Sequence, residues 1–234
     1  MPTGPVLLLH GSGPGTTAAA WTPLTDALRA HGIECVAPDL PGFGSAPAVP
    51  IDEWVSVLAP AQPCVVVGNS AGGALALKLA ARGLATKVVA VGSMGFPMAL
   101  PEGLDALWSA EPTEDAARRL LELLFFSPPG EEAVRARLDA MRSQPDFRSL
   151  FPAPRQRWVD ALSLSDDEFA AIDVPVLLIH GANDRIVPVA DSALPLLERL
   201  SDVRAHIFGH CGHASPLEYT DEFNRLVLTF LESQ

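Results

Sequence analysis

Ser70 stands in Gly68-Asn69-Ser70-Ala71-Gly72-Gly73, between the apolar run Cys64-Val65-Val66-Val67 and the Ala/Leu-rich stretch from Ala74 to Ala81. A serine on so tight a strand-to-helix turn is forced toward strained backbone angles, so only small residues fit two before and two after it, here Gly68 and Gly72. The strain lifts the hydroxyl clear of the sheet and sets it at a helix N-terminus, where free backbone N–H groups can stabilise an oxyanion. The chemistry this predicts is nucleophilic attack by Ser70.

A serine hydroxyl is a weak nucleophile at neutral pH and needs a histidine base, itself oriented by a carboxylate. On a sheet of this kind the three follow in the order serine, acid, histidine, each in a loop after a strand. Asp184, in Gly181-Ala182-Asn183-Asp184-Arg185 after the apolar run Val176–Ile179, is the expected acid. Of the six histidines, His10, His31 and His180 precede it and His206 lies within an apparent strand, which leaves His210 and His213 in Gly209-His210-Cys211-Gly212-His213. His213, farther from the strand end and just before a helix, is the expected base, and His210 a structural loop residue. The His-x-x-His spacing lacks the further ligands a metal would need, so no metal is expected, and no motif calls for a cofactor. Asp39 is expected to cap a turn.

The oxyanion itself needs two donors. His10-Gly11-Ser12-Gly13-Pro14-Gly15 follows the first apolar run and lacks the Lys-Ser/Thr ending of a phosphate-binding loop. The backbone N–H of Ser12, with that of Ala71, completes a two-donor hole.

The elements that must carry these residues follow from periodicity. Apolar runs at Val6–Leu9, Ile33–Ala37, Cys64–Val67, Val88–Val91, Val176–Ile179 and Val203–Phe208 alternate with helical patterns near 18–30, 51–58, 70–82, 190–200 and 218–231. This predicts an α/β fold, a mostly parallel sheet of about six strands with helices on both faces. One connection, of about eighty residues, breaks the rhythm and must carry structure of its own. It shows helical spacing at Glu114–Leu124 and Glu131–Met141 around a Ser-Pro-Pro-Gly break, and holds many of the aromatics. It is expected to form a helical lid over 98–171, with 1–97 and 172–234 as the core.

At 234 residues, 48% apolar and with a formal charge of −12, the chain suits one domain and excludes a nucleic-acid role. Met1-Pro2-Thr3-Gly4-Pro5 carries no charged segment followed by a long apolar core, no run approaches a membrane span, and the three cysteines have no paired spacing. The expectation is a cytoplasmic enzyme acting on a small molecule, with no membrane partner.

These motifs together resemble the α/β-hydrolase fold along almost the whole chain, and His10–Gly15, the Gly-Asn-Ser-x-Gly-Gly turn and Gly209–His213 are similar to the meta-cleavage-product hydrolases. Phe151-Pro152-Ala153-Pro154-Arg155-Gln156-Arg157-Trp158-Val159-Asp160-Ala161-Leu162 and Gly103-Leu104-Asp105-Ala106-Leu107-Trp108 resemble 2-hydroxymuconic semialdehyde hydrolases in particular. The resemblance implies ketonisation and then hydrolysis of a carbon–carbon bond in a dienol keto acid. It implies that Arg137 and Asn69 hold the substrate carboxylate, with Gly11 and Trp158 also bordering the substrate. Relatives carry a tryptophan where this chain has Ala214, and an asparagine where it has Thr22-Pro23. That leaves two alternatives open, a carboxylesterase or lactonase on a small ester and a non-catalytic ligand-binding member of the fold. The sheet is expected to be shorter than the family's, leaving Ile33–Ala37 as an edge that either pairs in a homodimer or is covered by Pro47–Pro63.

Overall fold

The computed structural model describes residues 4–232, so Met1–Thr3 of the N-terminal reading lie outside the described residues. Six strands, β1 (Val6–Leu9), β2 (Cys35–Val36), β3 (Cys64–Asn69), β4 (Ala85–Val91), β5 (Val176–Gly181) and β6 (Val203–Phe208), form one sheet in the order β2-β1-β3-β4-β5-β6. Every pairing is parallel. The inner strands read as continuous apolar runs because helices cover both their faces.

Before the insertion come α1 (Thr22–Ala30), α2 (Trp54–Val57) and α3 (Ala71–Ala81). Helix α3 is apolar nearly all round, with only Lys78 breaking its Ala, Gly and Leu sequence, and it packs against β3 and β4 in the centre of the molecule. The insertion between β4 and β5 holds α4 (Glu102–Ser109), α5 (Glu114–Leu124), α6 (Glu131–Arg142), α7 (Phe147–Leu150), α8 (Gln156–Leu162) and α9 (Asp166–Ala171). Helix α5 starts at a Thr113 cap and buries Ala117, Leu120, Leu121 and Leu123 on one stripe. The chain ends with α10 (Ala193–Arg199), α11 (Ser215–Glu218) and α12 (Thr220–Glu232).

Two apolar layers result. One contains α3, the insertion and the side chains of Phe43 and Trp54. The other lies between the opposite sheet face and α1 and α12, with Trp21 stacked on Phe223. Among the described residues, no helix is long and apolar enough to cross a membrane.

The edge strand is the one expected, but it is shorter and lacks the expected cover. Ile33–Ala37 contributes only Cys35 and Val36 to the ladder. Pro47–Pro63 does not cover it: Trp54, Val55 and Leu58 turn inward, α2 packs on α3, and Val36 remains 53% exposed. Burying an indole among Phe43 and Phe151 removes more apolar surface from water than lying along a two-residue strand would.

Candidate active site

Ser70 sits between the last residue of β3 and the first of α3, with φ 56 and ψ −118. A left-handed, non-glycine backbone costs about 1–3 kcal/mol and persists only where its surroundings enforce it. A Cβ at Gly68 would overlap the Gly72 carbonyl, and one at Gly72 would overlap the Leu9 carbonyl, so strand, turn and helix approach too closely for any side chain at either position. The Ser70 amide donates to Val91 O at 2.8 Å, which fixes the turn to the end of β4. Ser70 is 2% exposed, and its Oγ is buried with no hydrogen-bond partner among the described residues.

Asp184 and His213 leave the ends of β5 and β6 and meet. His213 Nδ1 donates to Asp184 Oδ2 at 2.6 Å, which leaves Nε2 as the free acceptor on the ring. The other carboxylate oxygen, Oδ1, accepts from the Ile186 and Val187 amides, each at 2.8 Å. His180 Nε2 lies 3.2 Å from Oδ2 and donates to Val187 O at 2.8 Å. Burial opposes the Asp184 charge, but the His213 charge and the hydrogen bonds of His180 and His213 outweigh it, holding the carboxyl well below the usual carboxylate range. His210, with φ 51, turns away and packs its ring 5.1 Å from that of Phe126. The two histidines of the loop therefore face different partners.

The loop after β1 approaches from the other side. Neither the Ser12 nor the Ala71 amide is taken up by another group among the described residues. The Ser12 hydroxyl accepts from Trp108 Nε1 at 2.9 Å. Burial is the main influence on the His10 ring and lowers its pKa. It is used as a neutral bracket: Nδ1 donates to Gly11 O at 2.8 Å and Nε2 accepts from the Leu40 amide at 2.9 Å. Asp39 accepts from the Ala18 and Ser45 amides, a capping role.

A cavity of about 170 Å³ gathers these groups. Its lining includes Gly11, Ser12, Asn69, Ser70 and His213, with Leu107, Leu124 and Arg137 from the insertion. Asn69 Nδ2 donates to Val91 O at 3.1 Å. Arg137 is the one Lys or Arg side chain in the lining. Its Nε is enclosed without a hydrogen-bond partner, and no described carboxylate pairs with it. Burial lowers its pKa to about 10, so at neutral pH it remains a cation. Three other insertion arginines are engaged elsewhere, Arg118 with Glu131, Arg148 with Glu111 and Arg155 with Asp105.

Trp158 is not part of this lining: its Nε1 donates to Pro152 O and its ring packs on Phe151 and under Arg157. Sequence reasoning gave no role to the Trp108 contact, which joins residues 96 apart, or to the His180 contact with Asp184.

Residues 6–226 match the alpha/beta hydrolase family. The chain is 36% identical over 249 residues to a 2-hydroxy-6-oxo-2,4-heptadienoate hydrolase of Pseudomonas putida, covering 98% of this chain and 90% of that protein. It is 37% identical over 248 residues to a 2-hydroxymuconate semialdehyde hydrolase of a Pseudomonas species, covering 97% and 86%. A solved meta-cleavage product hydrolase from Pseudomonas fluorescens, complexed with acetates, superposes with a TM-score of 0.89 at 35% identity, over 99% of this chain and 92% of that one. The chain belongs to the alpha/beta hydrolase family, and within it to the meta-cleavage product hydrolases.

Proposed function

We propose that this hydrolase cleaves a carbon–carbon bond in a 2-hydroxy-6-oxo-dienoate, with Ser70 as nucleophile, His213 as general base and acid, and Asp184 as its orienter. The observation that supports the substrate class is Arg137, a half-buried residue in the lining of the same cavity as Ser70, with an enclosed, unpartnered Nε and no protein counter-ion among the described residues. A cation so placed costs free energy unless an anion completes it, and a guanidinium suits the two oxygens of a carboxylate. Relatives named for dienoate substrates, at 36% and 37% identity, support the same reading.

In this reading the carboxylate sits on Arg137, beside Asn69 and Gly11, and the distal ketone lies over Ser70. After ketonisation, His213 Nε2 takes the Ser70 proton as Oγ bonds to the ketone carbon. The resulting oxyanion is held by the Ser12 and Ala71 amides. Collapse breaks the adjacent carbon–carbon bond, His213 returns the proton to the departing dienol fragment, and an acyl group stays on Ser70. Water, deprotonated by His213, then releases a carboxylic acid and restores the serine. The insertion, 98–171, acts as the lid that selects substrates, since it supplies Arg137, Leu107 and Leu124 to the cavity.

A substrate panel setting 2-hydroxy-6-oxo-dienoates against p-nitrophenyl esters tests this. The expected result is a strong preference for the dienoates; efficient ester turnover with inert dienoates would make the protein an esterase.

A further inference from the structure

Glu218, the last residue of α11, places its two carboxylate oxygens on two different parts of the molecule. Oε1 accepts from the Gly212 amide at 2.7 Å and lies 3.5 Å from Cys211 Sγ. Oε2 accepts from the Phe126 amide at 2.7 Å. Gly212 immediately precedes His213, and Phe126 lies just past the end of α5 in the insertion. On the other side of His213, the Ala214 amide donates to Leu124 O at 3.0 Å. The approach at Gly212 is so close that an added Cβ would meet the Leu124 carbonyl oxygen and the Phe125 carbonyl carbon, the latter at 2.9 Å. Phe126 in turn packs on His210. Both residues flanking His213 are thus tied to 124–126, one directly and one through Glu218.

We propose that Glu218 is a positioning residue that yokes the His213 loop to the insertion, so that the base is aimed at Ser70 only while 124–126 rests on that loop. A carboxylate suits the task because each of its two oxygens accepts from a different amide, whereas a carboxamide in the same place would turn an NH2 donor toward one of those N–H groups. Bonds to a carboxylate are also the stronger kind. Leu124 lines the cavity as well, so closing the insertion over a substrate and aligning the base become one event. This rests on His213 being the base of the proposed reaction, and it is independent of which bond is cleaved.

The test uses full-length Glu218→Gln and Glu218→Ala, with Ser70→Ala beside them. Active sites are titrated with a fluorophosphonate, and kcat per titrated site and KM are measured on a dienoate and on p-nitrophenyl acetate. The downfield proton resonance of the His213–Asp184 bond is followed by NMR. Displacing a catalytic group by an ångström costs up to about a hundredfold, so Glu218→Gln should lose about ten- to a hundredfold in kcat per site on both substrates. KM should hold, and the downfield resonance should broaden. If Glu218→Ala does not fold, the near-isosteric Glu218→Gln decides the matter. A normal kcat per titrated site and an unchanged resonance, even with lowered thermal stability, would overturn the positioning role while a dead Ser70→Ala left the triad standing. Activity surviving in Ser70→Ala would overturn both.

Discussion

The Nδ1 of His213 and the Oδ2 of Asp184 are 2.6 Å apart, and the second oxygen of that carboxylate is already held by the Ile186 and Val187 amides. The aspartate cannot rotate without losing three bonds, so the imidazole is presented in one tautomer with Nε2 free. Ser70→Ala and His213→Ala should each lower turnover at least about a thousandfold, with Asp184→Asn costing a similar amount or somewhat less. His210→Ala, removing a ring that packs on Phe126, should cost little. Steady-state kinetics on purified variants checks this; an active His213→Ala beside a dead His210→Ala would reverse the assignment.

Arg137→Met should separate substrates by charge. Losing a charge-assisted contact to a carboxylate should cost about 2 kcal/mol or more on a dienoate. A neutral ester, which never met the guanidinium, should be turned over almost normally. The kcat/KM ratio for the two substrates is the measurement, and equal losses on both would make Arg137 a structural residue of the insertion.

The Trp108 indole N–H reaches Ser12 Oγ at 2.9 Å, while its ring stacks on Phe151 at 4.8 Å. Trp108→Phe keeps an aromatic ring there and removes the donor, so the loop bearing the Ser12 amide loses a buried anchor. A hydrogen bond worth about 1 kcal/mol predicts a severalfold drop in kcat with a smaller change in KM. Unchanged kcat would show that the loop is held without this contact.

Stability should respond to His10. Burial, the largest influence, lowers its pKa below the ordinary 6.5, against the opposing effects of the Gly11 carbonyl and Asp39. The unfolded chain therefore binds a proton more readily than the folded one. The stabilisation is complete above 6.5 and is lost as pH falls from there toward the folded pKa. Denaturant midpoints should fall between about pH 7.5 and about pH 5.5, and less steeply in His10→Gln, whose stability is lower at the upper pH. Parallel slopes in the two proteins would show that His10 does not set this pH dependence.

Much of the scaffold was legible because its strands are short apolar runs with strong punctuation. Val6–Leu9 and Val203–Phe208 coincide with strands, and Glu114–Leu124 with a helix, since capping and amphipathic spacing are local signals. The edge was harder. Whether Trp54 covers β2 or turns inward depends on Phe43 and Phe151, which no local pattern connects to it. The site followed the same division: the turn at Ser70 announces itself through Gly68 and Gly72, whereas the pairing of Trp108 with Ser12 and of Glu218 with Phe126 exists only after folding. Trp158 lies outside the cavity lining, with its indole N–H spent on Pro152.

A cavity that holds a dienoate by its carboxylate and cleaves it at the distal ketone must release two defined products. The most direct measurement is to incubate the protein with a 2-hydroxy-6-oxo-dienoate bearing a methyl group on that ketone, following the chromophore and the products together. The expected result is loss of the dienoate absorbance with release of acetate and a shortened 2-hydroxydienoate in equal amounts, abolished in Ser70→Ala. A dienoate left intact by protein that hydrolyses p-nitrophenyl acetate would contradict it.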